Sequence, residues 1–357
     1  MRLIGHLDMD AFFAAIEERD NPRWGGWPIV VGSEPLNGRG RGVVSTANYK
    51  AREYGIRSAN PISRAWQMSE AARKQGKPPA IFLPVNFRRY EEISSRILVI
   101  LRRHVAVVEP ASIDEAYFEL SFVGSYASAE DICQKIKAEI KNEEKLTASI
   151  GVGPNKLIAK IASDAQKPDG LTVIKEDEMV GFLEPLPIRK IPGIGPKTEA
   201  MFRAKNIFLV RDLKNFSLNE MEDLLGKWGI DLYQKIRGVD TAPLQTEYEA
   251  KSIGEQETFL KDTNKTIFIF ERLKILCENV FSRFKNNDFK SFKTVAITVR
   301  FGDFETKTRA HTLKQVVGSR KVLESEAIKL LLPFLDSRAN PRRKMIRLIG
   351  VRIEKFQ

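Results

Sequence analysis

Apolar and polar positions along this chain follow two periods, one of strands and one of helices. Leu3 to Leu7 is a short apolar run, read as a buried strand that delivers Asp8 and Asp10. Phe12, Phe13 and Ile16 then fall at helical spacing and predict a helix over Ala11 to Arg19, which Asn21-Pro22 stops. STANYKAREYG reads as a second helix, with Ser45 or Thr46 near its start and Gly55 at its end. A strand near Ile81 to Leu83 and a helix from Phe87 to His104 come next. VAVVE, a turn at Pro110 and IDEAYFEL read as a hairpin carrying Asp114 and Glu115. Then follow a helix with Ile132, Ile136 and Ile140 on one face, a strand at Thr147 to Gly151, and a helix from about Asn155 to Ala165. This order approaches βαββαβ, with about Ala11 to Pro79 inserted after the first strand.

Glu178 to Gly238 reads as a small helical domain around the hairpin IPGIGPKT, Ile191 to Thr198, and TAPLQTEYEAK as a polar extended linker. In the last third, Val295, Ile297, Val299 and Phe301 alternate with polar residues, the mark of a half-buried strand. Strands near Ser252 to Phe259, Glu305 to His311 and Ile346 to Ile353, with helices near Thr266 to Lys285 and Ser319 to Leu335, complete a second βαββαβ order. Helices on one face of such a sheet leave the other face open. Lys251, Arg300, Arg347 and Arg352 are the candidates to present charge around it.

Length and charge change the picture. A chain of 357 residues exceeds one ordinary domain. Its 58 basic and 46 acidic residues leave a net charge of +12. Lys251 to Gln357 holds 23 basic and 12 acidic residues, whereas the first 250 residues hold 35 and 34, so the surplus belongs to the last third. That favours an acidic partner, nucleic acid or an anionic surface, over a chain that is merely solubilised. The fractions of 43% hydrophobic and 29% charged residues exclude a disordered or fibrous chain. Cys133 and Cys277 form no CxxC pair, which argues against a disulfide scaffold and a cysteine-rich zinc site. Asp8 interrupts any signal peptide and no run of about 18 apolar residues follows, so a cytoplasmic protein is expected.

Several residue sets carry chemistry. Asp8 and Asp10 stand beside a helix start, where they either cap it or hold a metal whose phosphate rests on the free N–H groups. Adjacent strand residues face opposite sides, so one of Asp114 and Glu115 should miss any shared site unless the hairpin end re-aims it. Asp10 carries the same tension, since the turn into the helix should rotate it away from Asp8. Tyr49 and Arg52 share a helix face, and a hydroxyl beside a guanidinium fork suits a polyphosphate as well as an ordinary surface. LNGRGRG lacks the P-loop arrangement, and GVGPNK lacks the third glycine of a dinucleotide loop. IPGIGPKT is either a plain helix connection or a cradle for a backbone phosphate.

In order along the chain, HLDMDAFFAAIEERDNP, STANYKAREYG, EPASIDEAY, LTASIGVGPNKLIAKIASDAQKPDG, IPGIGPKT and KSIGEQETF resemble the Y-family, or translesion, DNA polymerases, most of all their DNA polymerase IV branch. The resemblance covers nearly the whole chain and implies an α+β, multidomain right hand. Its parts would be a ferredoxin-like βαββαβ palm (1–10 and 80–175), small fingers (11–79), a helical thumb with a helix-hairpin-helix (176–242), a linker (243–250) and a βαββαβ little finger (251–357). It implies metal ligands at Asp8, Asp114 and Glu115, with the Met9 carbonyl assisting, and leaves Asp10 out. It implies a steric gate at Phe13, which packing alone would make an ordinary core residue. It implies nucleotide contacts at Phe12, Phe13, Thr46, Tyr49, Arg52 and Lys167, and a duplex grip at Gly193, Gly195 and Lys197. Lys251, Arg300, Arg347 and Arg352 then become DNA contacts of the little finger. Small finger residues, including Val43, Ser45 and Ala47, fit a roomy pocket over the new base pair.

The implied activity is template-directed addition of deoxynucleotides to a primer, with low fidelity, bypass of damaged bases and no proofreading exonuclease. The implied cofactors are two Mg²⁺ ions, with Mn²⁺ as a substitute, because hard cations take carboxylate oxygens. The partners are primer-template DNA and dNTP, without a membrane, for a monomer located with the nucleoid. Family members commonly end in a short tail that docks on a sliding clamp. This chain stops at Phe356-Gln357 just after the last predicted strand, so a clamp is expected only through a tail outside it. A nucleotidyl cyclase would share the acidic residues but needs neither the glycine hairpin nor the basic third. An inert DNA-binding scaffold would need those two features but not the carboxylates.

Overall fold

The computed structural model describes residues 1–247, 249–336 and 338–357. The chain divides into two compact units, one of Met1–Gly32, Val44–Asn60 and Met68–Glu247, the other of Ser33–Val43, Pro61–Gln67 and Tyr248–Gln357.

The first unit is built on a five-stranded sheet: β1 (Ile4–Met9), β5 (Val108–Pro110), β6 (Glu115–Glu119), β7 (Ala148–Gly153) and β8 (Leu171–Val173), in the order β5-β6-β1-β7-β8. β1 lies at the centre, antiparallel to both β6 and β7, and β8 runs parallel to β7. Alternation gives the sheet two unlike faces. Leu7, Met9, Ala116, Phe118 and Ile150 join one hydrophobic core with Tyr90, Ile93 and Ile97 of α4 (Phe87–His104) and Cys133, Ile136 and Ile140 of α5 (Tyr126–Glu144). The opposite face carries His6, Asp8, Glu115 and Tyr117, and there α6 (Lys156–Ser163) packs on β7. A Cβ on Gly151 would sit 2.1 Å from the Ala159 carbonyl oxygen, so only glycine lets the helix approach this closely.

The expected palm order holds with one correction. Ile81–Leu83 is a strand, β4, but it lies outside the main sheet, parallel to β2 (Ile29–Gly32) in a separate sheet of order β3-β2-β4, where β3 is Val44–Ala47. A run of three apolar residues between prolines does not specify its partner. Another correction concerns STANYKAREYG. Its β-branched first half is strand β3, and only Tyr49–Arg52 is helical, as the single turn α2. Asn48 starts that turn by accepting the Ala51 N–H at 3.0 Å and takes the Ile29 N–H at 2.9 Å with the same oxygen. α1 (Phe12–Asp20) starts after Ala11, whose left-handed backbone turns the chain and whose position has no side-chain cap.

α3 (Ile62–Lys74) completes the N-terminal part of the chain. Five short helices, α7 (Met179–Leu183), α8 (Pro196–Arg203), α9 (Val210–Leu213), α10 (Leu218–Leu225) and α11 (Lys227–Lys235), close around Ile188, Ile191, Phe202, Leu213, Met221 and Leu232.

The second unit contains β9 (Ser252–Thr263), β10 (Phe292–Phe301), β11 (Thr306–Val317) and β12 (Ile346–Glu354) in the antiparallel order β11-β10-β12-β9. α12 (Thr266–Asn286) and α13 (Arg320–Leu335) share a core with Val295, Ile297, Val299, Ile349 and Val351, so both helices lie on one face. The predicted βαββαβ order is observed. β11 is an edge strand, exposed over most of its length, and its register against β10 shifts between Phe292 and Thr294.

Candidate active site

One rung of the main sheet sets Glu115, Asp8 and Ser149 side by side, since Asp8 pairs with Glu115 on β6 and with Ser149 on β7. Each of the two carboxylates meets an ammonium group. Lys167 Nζ lies 2.6 Å from Asp8 and 2.8 Å from Asp164, and Lys160 Nζ of α6 lies 2.5 Å from Glu115. Burial pushes the Asp8 carboxyl up to about 7, against the pull of Lys167. Burial also opposes the Glu115 carboxylate, but His6 and Lys160 hold it down to about 2. Burial likewise works against the Lys167 ammonium, yet Asp8 and Asp164 hold its pKa above the usual lysine range. His6 is fully buried. Its Nδ1 lies 2.8 Å from the Ser163 hydroxyl, and its unpartnered Nε2 faces Glu115 at 3.5 Å.

Asp114 precedes β6 rather than lying in it, so strand alternation does not apply to it. The hairpin end turns its carboxylate onto the Ser112 hydroxyl at 2.6 Å, and its carbonyl accepts the Met9 N–H at 3.0 Å. The structure therefore joins Asp8 with Glu115 but leaves Asp114 beside them on its own partner. Among the described residues no three His, Cys, Asp or Glu side chains are grouped to hold an ion. The donors are nevertheless right for a divalent hard cation: two carboxylates on one rung, each balanced by a lysine, with a third next in sequence.

Asp10 follows the end of β1 and is 4% exposed. It accepts the Asp169 N–H at 2.8 Å, the Ser149 hydroxyl at 2.8 Å and, at 3.4 Å, the Tyr49 hydroxyl. It caps no helix. Burial and Asp10 push the Tyr49 phenol up to about 12, which keeps it a donor. The Arg52 guanidinium lies over the Tyr49 ring, 4.7 Å from its centroid, and its Nε donates to the Ala47 carbonyl at 2.9 Å. Thr46 is half-buried on β3. Phe12 is core. Phe13 stacks on Tyr90 with centroids 4.2 Å apart and planes at 12°, and the Tyr90 hydroxyl donates to Glu17 at 2.7 Å.

In the helical part, Gly193 is left-handed at φ 99 and its Cα faces Trp228, which would lie 3.2 Å from a Cβ there. Gly195 caps α8 without any side chain, leaving the first N–H groups free beside exposed Lys197. On the second unit's open face Arg352 shares a rung with Ala296 and Gly254, and Arg300 shares one with Leu348 and donates to Thr306 at 2.9 Å. Lys251 is exposed. Arg347 falls at a register shift, lies over the Phe304 ring at 4.5 Å and is 3.8 Å from Asp262. Sequence reasoning missed Lys160, Ser149 and Tyr90. Only the four-residue spacing of Lys156 and Lys160 on a helix next to acidic strands was available as a signal.

Residues 7–164 match the impB/mucB/samB family, 250–357 the C-terminal domain of that family, and 189–240 a domain described as the thumb of DNA polymerase-iota. A DNA polymerase IV of Methanoculleus marisnigri is 40% identical over 356 residues, covering 100% of this chain and 95% of the relative. A Y-family DNA polymerase chimera of Dbh and Dpo4 superposes with a TM-score of 0.86 at 31% identity, covering 99% of each chain. An insertion ternary complex of Dbh DNA polymerase gives 0.68 at 30% identity, again over 99% of each. The chain belongs to the impB/mucB/samB family, the Y-family DNA polymerases. Within it the likeness runs to the DNA polymerase IV branch, and the enzyme class is DNA-directed DNA polymerase. Enzymes of this family use divalent metal ions.

Proposed function

We propose that this chain extends a primer 3′ end by template-directed nucleotidyl transfer with two Mg²⁺ ions, at low fidelity, past damaged template bases and without proofreading. The observation that carries this reading is the Asp8–Glu115 rung, Asp8 buried and Glu115 half-buried, with a lysine on each carboxylate. Asp8, Glu115, Asp114 and the Met9 carbonyl would hold the ions, which when bound activate the primer hydroxyl and neutralise the charge that develops on the transferred phosphoryl group. The remaining work falls to the side chains. Lys167, Arg52 and Tyr49 bind the triphosphate as two cations and one neutral donor, beside Thr46. Phe13, braced by Tyr90, packs under the sugar, so that a 2′-hydroxyl would clash or be buried unpaired.

The glycine turn before α8 offers free N–H groups to a duplex phosphate, and the open face of the C-terminal sheet offers Arg300 and Arg352. Among the described residues no helix is long and apolar enough to cross a membrane. We place the enzyme as a monomer on chromosomal DNA. Primer extension on undamaged and abasic templates, with Mg²⁺ and with a chelator, tests the reading. Extension past the lesion only with the metal is expected, and no extension on either template would overturn it.

A further inference from the structure

Asp10 stands two residues from Asp8 and invites reading as another ligand of the same centre, but its oxygens are already used. One accepts the Ser149 hydroxyl and the longer contact from Tyr49, and the other accepts the Asp169 N–H at 2.8 Å. Removing a carboxylate from water is costly, and these partners are all neutral donors. A charge kept there holds its donors more tightly than a neutral acceptor would.

Those donors have one thing in common. Tyr49 is itself a phosphate candidate, and Asp169 lies two residues beyond Lys167, in the loop that carries Lys167 to Asp8. The far side of that loop is pinned as well. Lys137 and Lys141 lie 2.9 and 3.0 Å from the Asp169 carboxylate, Lys137 donates to the Gly170 carbonyl at 2.9 Å, and the Gly170 N–H reaches Ser149 Oγ at 3.3 Å. The loop is thus clamped between Asp10 inside and two lysines outside.

We propose that Asp10 is a positioning residue that fixes Tyr49 and the Lys167 loop relative to one another and so sets the width of the triphosphate cradle. This rests on the polymerase reading for its kinetic consequence but not for its structural one. Asp10→Asn keeps the shape, removes the charge and turns an NH₂ toward a donor. Its dNTP KM should rise about tenfold, the worth of one charge-assisted hydrogen bond, with kcat falling less than about threefold and DNA affinity unchanged. The Asp169 amide should exchange with solvent at least about tenfold faster by hydrogen–deuterium exchange.

An unchanged Asp169 exchange rate, a KM within twofold of the parent, or a loss confined to kcat would each overturn the proposal. Should Asp10→Asn melt too low to assay, Ser149→Ala decides. A raised KM with faster exchange at Gly170 supports the clamp, and parental values of both overturn it. If the parent chain fails to extend primers, the polymerase reading falls while the exchange experiment still decides whether Asp10 holds the loop.

Discussion

The two large sheets share a βαββαβ order and use it in opposite ways. In the first unit, the face away from α4 and α5 is partly covered by α6 and concentrates charge on one half-buried rung, where Asp8 and Glu115 each touch a lysine. In the second, the face away from α12 and α13 is built differently. Its rungs read Gly254, Arg352, Ala296, Ala310 and Gln256, Gly350, Thr298, Thr308, small residues with sparse cations. A site for chemistry needs desolvated charge at fixed spacing, whereas a surface for a long polyanion needs flatness and charge that remains hydrated. Under the proposed function the same connectivity serves both, because alternation lets one face be rewritten without disturbing the core behind it.

The sharpest way to break the contrast is to remove a carboxylate from the proposed metal site. Asp114→Ala or Glu115→Ala should reduce primer extension by at least about 10³-fold while DNA affinity stays within about threefold. Normal extension by either variant in single-turnover assays would end the metal assignment. Next in size, Phe13→Ala should raise the ratio of ribonucleotide to deoxyribonucleotide insertion about a hundredfold. An unchanged ratio in steady-state kinetics would remove it as the gate.

On the open sheet the effects should be distributed. Replacing Arg300 and Arg352 together by alanine should lower the slope of log K against log salt for DNA binding by about 1.8, with undiminished kcat. A slope equal to the parent's would mean that neither meets a phosphate.

The smallest effect is on stability. Burial raises the Asp8 carboxyl from the ordinary aspartate range to about 7. Across that window the folded chain keeps a proton the unfolded chain has released, so stability falls as pH rises through it. Asp8→Asn should therefore melt above the parent by about 3 °C near pH 8, and the gain should close below about pH 4. Equal melting temperatures at both pH values would show that Asp8 is ionised at no cost.

Much of the architecture was legible because period and punctuation are local properties. Val295, Ile297, Val299 and Phe301 announced their strand, and the βαββαβ order of the second unit followed. Pairing is not local. Nothing near Ile81–Leu83 says that β2 is its partner, and nothing near Asp8 says that Glu115, over a hundred residues away, shares its rung rather than the facing side. The site was legible by residue type and by family likeness, while its supports were not. Lys160, Ser149 and Tyr90 earn their places through contacts made only once the sheet closes, and so do the partners of Asp10, which the family likeness leaves out of the ligand set.

The exposed edge strand β11 has a bearing on how this protein behaves when no partner covers it. A long unpaired edge is a template on which a second copy can add its own strand. Lys307, Arg309 and Lys314 and the break in register opposite Phe292 work against such stacking. Cations usually credited to ligand affinity thus also guard against self-association, and attempts to neutralise this strand should be watched first for turbidity on storage.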